Sequence, residues 1–300
     1  MKKIIITLAV LASAFFGANA EEKTKTHDFG DITSIDANFL YRIHVTEGKS
    51  EKVTLVYDDV IENLINIDVR YYDGKLTLSR KITDRKNEKK FGSWVSKSDR
   101  NRIDVYLEMD DISSINVSGA ASITFSGSFK ADDLDIDIHG ASTLKDLHVN
   151  GKSMEVDCSG ASKLHVSGNF TKGVEIEVSG AGGMTYNGDA ETLEAEMSGA
   201  SSFRYNGNFD TIDIRCSGAS KATIQGKGHS GKYDCSGASS IDAENCQLKK
   251  AEVELSGASS SKVSVSDYLE YNVNSASKIT YYGDPELHNN TISTNVVKGR

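Results

Sequence analysis

From Leu134 to Val273 apolar and polar residues alternate in short runs, and each run closes at a small residue, usually glycine. Counting back from that residue, positions two, four and six are apolar. They are Ile138, Ile136 and Leu134 before Gly140, then Cys158, Val156 and Met154 before Gly160, then Val178, Ile176 and Val174 before Gly180. The rule holds again for Met197, Ala195 and Leu193, for Cys216, Ile214 and Ile212, for Leu255, Val253 and Ala251, and for Val273, Tyr271 and Leu269. It weakens only before Gly237, where Gly231 joins Cys235 and Tyr233. A period of two marks a strand with one buried face. A second apolar pair follows most corners, as in Leu164/Val166, Phe203/Tyr205, Ala222/Ile224 and Val263/Val265. Helical periodicity is absent.

The corners share one spelling, Ser-Gly-Ala-Ser or a near variant. It is centred on Gly119, Gly140, Gly160, Gly180, Gly199, Gly218, Gly237 and Gly257, with Ser275 in the glycine slot of a ninth copy. The steps are 21, 20, 20, 19, 19, 19, 20 and 18 residues. Two or three short strands with glycine corners every twenty residues predict an all-β fold, a parallel β-helix or solenoid with about 20-residue coils. Each strand then pairs with its copy in the next coil, about 4.8 Å away. Glycine allows the backbone angles of a corner, and alanine and serine are small enough to stack there. Gly at 26 residues and Pro at 1 suit this architecture, because proline cannot donate to a strand ladder.

The ends divide differently. Lys2 and Lys3, the apolar Ile4 to Phe16 and Ala18-Asn19-Ala20 read as a signal peptide over residues 1–20, too short to span a membrane. Residues 28–110 read as an N-terminal β segment, 111–284 as the solenoid repeats and 285–300 as a tail. Whether 28–110 continues the solenoid or forms a separate layer stays open in the sequence. The chain is expected to be exported, to the periplasm or the cell surface.

Charge sharpens the picture. Without Lys2 and Lys3, 32 basic residues face 43 acidic ones, a composition unsuited to nucleic acid. The positions three and five before each glycine slot point outward, and thirteen of sixteen are acidic. Stacked in register, they make two carboxylate columns, densest at Glu175, Glu177, Glu194 and Glu196. Like charges 4.8 Å apart repel by about 0.9 kcal/mol even in bulk water. Either solvent and salt screen that cost, or the columns meet a cation or a partner; Ca²⁺ suits clustered carboxylates. Arg215 and Lys232 interrupt the columns.

A basic stretch, residues 80–102, carries Lys89, Lys90, Phe91 and Trp94 among nine Lys and Arg. It reads as a grip for an acidic glycan or phosphate, as a solvated loop, or as a cover for the open solenoid end. Cys216 and Cys235 share one inward slot in adjacent coils and read as stacked core thiols, with a disulfide between them as the alternative. His139 stands alone in an outward serine slot. No catalytic residues are legible: no nucleophile–base set, no GxSxG elbow and no phosphate loop.

The recurring SGAS on a 19–21 step, the segment from Ile32 to Lys81 with its DGKLTL, and YYGDPEL near the end resemble the head GIN domain family of auto-transporter adhesins, over roughly residues 28–287. The chain departs from the family pattern at His139 and at Gly182-Gly183. The resemblance implies a right-handed, exported β-helix with an adhesin-like role and brings no catalytic residues. The expected function is non-enzymatic: a cell-envelope protein whose repetitive Ser and acidic surface meets glycan or a cell-surface protein. The alternative is a Ca-dependent polysaccharide lyase using the acidic columns with Arg215 or Lys232.

Overall fold

The computed structural model describes residues 22–81, 103–289 and 295–299. It is nearly all β, a solenoid of about nine turns with coils of about 20 residues. The strands before the corners stack in parallel, each on the next. Leu134, Ile136 and Ile138 lie against Met154, Val156 and Cys158, and those against Val174, Ile176 and Val178. The strands after the corners form a second parallel stack, in which Leu164 and Val166 meet Met184 and Tyr186, and those meet Phe203 and Tyr205.

Both inward faces build one continuous core from Ile32 to Ile279. Aromatic residues fill part of it: Tyr186 stacks on Tyr205 at 5.5 Å, and Phe203 on Tyr205 at 6.5 Å. The Tyr186 hydroxyl, deep in that core, donates to the Gly168 carbonyl at 3.0 Å. The weak copy before Gly237 is completed the same way. A side chain at Gly231 would strike Leu248 and the Tyr233 ring, so Tyr233 fills the space that Gly231 leaves.

Inward parity runs through the corner. The residue two places after each corner position is buried: Ser142, Ser162, Ser201, Ser220, Ser239, Ser259 and Ser277, with Ala121 and Gly182 at the other two corners. The serine before the glycine is half-buried in most coils, and the Gly-Ala pair is exposed. Five of the buried hydroxyls bond to the corner backbone, as where Ser239 Oγ donates to the Cys216 and Ser236 carbonyls at 3.0 and 2.8 Å, while those of Ser142 and Ser201 have no partner among the described residues.

The first coil carries no glycine motif. Ser34–Phe39 and Tyr41–Glu47 pair in parallel with Ser114–Gly119 and Ser122–Ser126, which places Phe39, at φ 119°, in the glycine slot. Lys75–Lys81 and Ile103–Met109 add a parallel layer on the opposite edge. Antiparallel strands then end the stack: Asn66–Tyr72 on Lys75–Lys81, Lys52–Asp58 on Ile103–Met109, and Glu22–Asp28 outermost. This turn to antiparallel pairing finishes an edge that a parallel stack would leave open. The helix Val60–Leu64 tucks Ile61 beneath it, and Glu62 binds Lys23, Lys25 and the Tyr57 hydroxyl. At the other end, Glu286–Asn289 and Val296–Lys298 each add a parallel strand.

Candidate functional site

The acidic columns follow directly from this register. Asp135, Glu155, Glu175 and Glu194 lie partner to partner in successive coils, and so do Asp137, Asp157, Glu177 and Glu196. Period two sends each of them outward, because the residues between them are core. Glu155, Glu175, Glu177, Glu194 and Glu196 are exposed, and among the described residues none of them has an ion-pair partner. An open groove runs along the first column, lined by Asp133, Asp135, Glu155, Glu175 and Glu194. The two cations that interrupt the columns are taken up locally. Arg215 bonds Asp213 on its own strand at 2.5 Å, and Lys232 reaches Glu252 one coil on at 3.4 Å.

His139 is not alone, contrary to its reading in the sequence. Its Nε2 lies 2.9 Å from Asp137 Oδ1 and its Nδ1 2.5 Å from Ser159 Oγ. With Asp157, His139 and Asp137 offer three ligand atoms within 4.8 Å of one another. One imidazole and two carboxylates at that spacing could hold a divalent cation. The substitution that makes this cluster is visible in the sequence as the one histidine among the serines, with Asp137 two residues before it; Asp157 and Ser159 are not, because they come from the next coil.

Sequence reasoning missed a second face. The outward residues after the corners form their own files in the stack of second strands. One file runs Ser122, Thr143, Lys163, Gly183, Ser202, Lys221, Ser240, Ser260 and Lys278. Beside it, Thr185, Arg204, Thr223, Asp242 and Lys262 lie in line. This face is basic and hydroxylic where the first is acidic. Lys145, Lys163, Arg204, Lys221 and Lys278 are exposed, and none pairs with a carboxylate among the described residues. Counting three and five places forward from each glycine, as well as back, would have found it.

Toward the N-terminal end this face carries an aromatic–ionic cluster. His44 stacks on Tyr106 at 4.8 Å, and Arg42 grips Asp104 through two nitrogens, one at 2.6 Å. Burial pushes the Asp104 carboxyl up, but Arg42 and His44 outweigh burial and hold it below the usual range.

Of the other sequence candidates, Lys89, Lys90, Phe91 and Trp94 lie outside the described residues, as does the signal segment. All four cysteines are free and buried, with Cys216 and Cys235 partnered in register. Among the described residues no helix is long and apolar enough to cross a membrane.

No curated protein matches the sequence. Among solved structures, a "putative adhesin" from Parabacteroides distasonis is similar, with 18% identity over 93% of this chain and 97% of that one, at a TM-score of 0.49. A second, a "putative adhesin" from Parabacteroides merdae, has 17% identity over 93% of each chain, at a TM-score of 0.49. A third, a "putative lipid binding protein" from Parabacteroides distasonis, has 15% identity over 92% of this chain and 94% of that one, at 0.45. The family described as "Putative auto-transporter adhesin, head GIN domain" matches residues 31–185 and 170–285, which together take in every coil from the first to the ninth corner. The chain therefore belongs to the head GIN domain family of auto-transporter adhesins.

Proposed function

We propose that this protein is an exported, non-enzymatic adhesin of the cell envelope, which binds glycan or protein through the repeated outward files of its solenoid. The observation that carries this reading is the register itself. Glu175 stands against Glu194 and Glu177 against Glu196, so that one chemical contact recurs at each coil. Contacts that are weak singly add when they recur on a rigid support. Enzymatic sites, by contrast, rest on one unrepeated set of groups in defined roles. The acidic quartet is the proposed contact surface, and the basic segment with Lys89, Lys90, Phe91 and Trp94 a second one.

A glycan array and an overlay on envelope proteins test the reading. We expect binding that falls at least tenfold when Glu175, Glu177, Glu194 and Glu196 are all changed to Gln, with the β spectrum unchanged. Products released from an acidic polysaccharide in a Ca²⁺-dependent manner, and lost in Arg215→Ala, would overturn it in favour of an enzyme.

A further inference from the structure

The two faces carry opposite charge on strands of one spacing, and each presents exposed charges that have no ion-pair partner among the described residues. On one side are Glu155, Glu175, Glu177, Glu194 and Glu196; on the other Lys145, Lys163, Arg204, Lys221 and Lys278, all exposed. Both sets hang on strands of one solenoid, so charges on either face are separated by whole multiples of the same strand spacing, about 4.8 Å: every strand from Glu155 to Glu194 on the acidic face, and every third strand from Lys163 through Lys221 to Lys278 in the first basic file. A second copy of this chain is therefore a partner whose charges stand on a ladder of the same spacing, so that each basic group can meet a carboxylate in register. The acidic face also has an internal reason to seek cations, since its like charges lie directly across strands and destabilise one another.

We propose that the acidic face of one copy docks side by side on the basic, hydroxyl-rich face of a second copy. This deepens the adhesin reading, on which it rests, by naming the partner of the acidic files. The contact is heterologous: each copy keeps one free face of either sign, so association continues into open assemblies rather than stopping at a dimer. Exposed ion pairs are individually weak, and the formal net charge of −9 opposes approach. Association is then modest and depends on concentration. It is greatest at about 0.1 M salt, where repulsion beyond about 10 Å is screened, and it is lost at about 1 M.

Sedimentation of the full chain tests this with two charge-reversed variants. One carries Glu175→Lys, Glu177→Lys, Glu194→Lys and Glu196→Lys; the other carries Lys163→Glu, Arg204→Glu and Lys221→Glu. Circular dichroism checks that both keep their β spectrum. We expect wild type to rise to at least twice the mass of one chain with concentration at the lower salt. Each variant alone stays at the mass of one chain, and an equimolar mixture of the two regains association, since the reversed faces are again complementary. A wild type that stays single at every salt overturns the proposal, and so do variants that associate as wild type does or a mixture that fails to recover. Should wild type stay single yet be retained on a sulfated dextran column through Lys163, Arg204 and Lys221, the basic face belongs to an anionic glycan instead. In that case self-docking fails while the adhesin reading stands; a blank glycan array and overlay together with a single chain in solution would sink both.

Discussion

Gly199 sits directly on Gly180: a Cβ built on Gly199 would lie 2.6 Å from the Gly180 carbonyl oxygen, and Ala200 N–H donates to that same oxygen at 2.7 Å. Its φ of +73° is a second, separate demand for glycine. The coils can approach this closely only because neither residue has a side chain.

Gly199→Ala therefore meets both costs. The left-handed backbone alone costs an alanine about 1–2 kcal/mol, and the clash adds to it. We expect a loss of at least about 2 kcal/mol, read as a lowered Tm. Ser275 already occupies the slot in the last corner, at φ 59°, and there the Ala276 N–H to Gly257 oxygen distance is 3.0 Å. Ser275→Gly is expected to raise stability by up to about 1 kcal/mol.

The buried serine file separates bonded from unbonded hydroxyls. Ser239 Oγ reaches two carbonyls, whereas Ser201 Oγ has no partner among the described residues. Ser239→Ala should cost about 1 kcal/mol, and Ser201→Ala should be neutral or stabilising. Equal losses at both positions, in parallel thermal melts, would contradict this account of the corner.

Thiol chemistry follows from the core. Burial pushes Cys158 and Cys246 up to about 11, and its bond to Cys216, with burial, raises Cys235 further. A thiol held protonated and enclosed is a poor nucleophile. At pH 8 the native protein should release no thiol to an aromatic disulfide reagent over minutes, and four per chain after denaturation.

The N-terminal cap carries an acid-sensitive clamp. Hydrogen bonds from Lys23, Lys25 and Tyr57 hold the Glu62 carboxyl down to about 2 from an ordinary 4.5. Because its folded value is depressed, its stabilisation is complete above about pH 4.5 and is lost as pH falls toward 2. The Tm gap between wild type and Glu62→Gln should close over that window; a gap that is constant from pH 6 to 2 would show that the carboxylate does not hold the cap.

The coils were legible because burial alternates strictly and glycine marks each corner, and both signals survive in one sequence. The first coil was not, because Phe39 holds the glycine slot there and the layer on its other edge comes from Lys75–Lys81 and Ile103–Met109. At the antiparallel end only the hairpin of Asn66–Tyr72 and Lys75–Lys81, closed at Asp73-Gly74, is local; the pairings of Lys52–Asp58 with Glu22–Asp28 and with Ile103–Met109 were hidden because those partners lie far apart in the chain. The inward turn of the second serine, as at Ser162, was obscured by its polarity, although its even offset from the glycine pointed to it. The acidic columns were readable from parity alone, but the Asp137–His139–Asp157 cluster needed two coils to be seen together.

Everything rests on equivalent residues standing one above another in successive coils, and paired spin labels read that most directly. The native thiols being enclosed, labels attach only at Glu177→Cys and Glu196→Cys, whose backbones are partners in register. Neighbouring parallel strands lie about 4.8 Å apart, so the doubly labelled protein should give a spectrum collapsed by spin exchange. A spectrum equal to the sum of the two singly labelled proteins would contradict the stacking, and with it both charged faces.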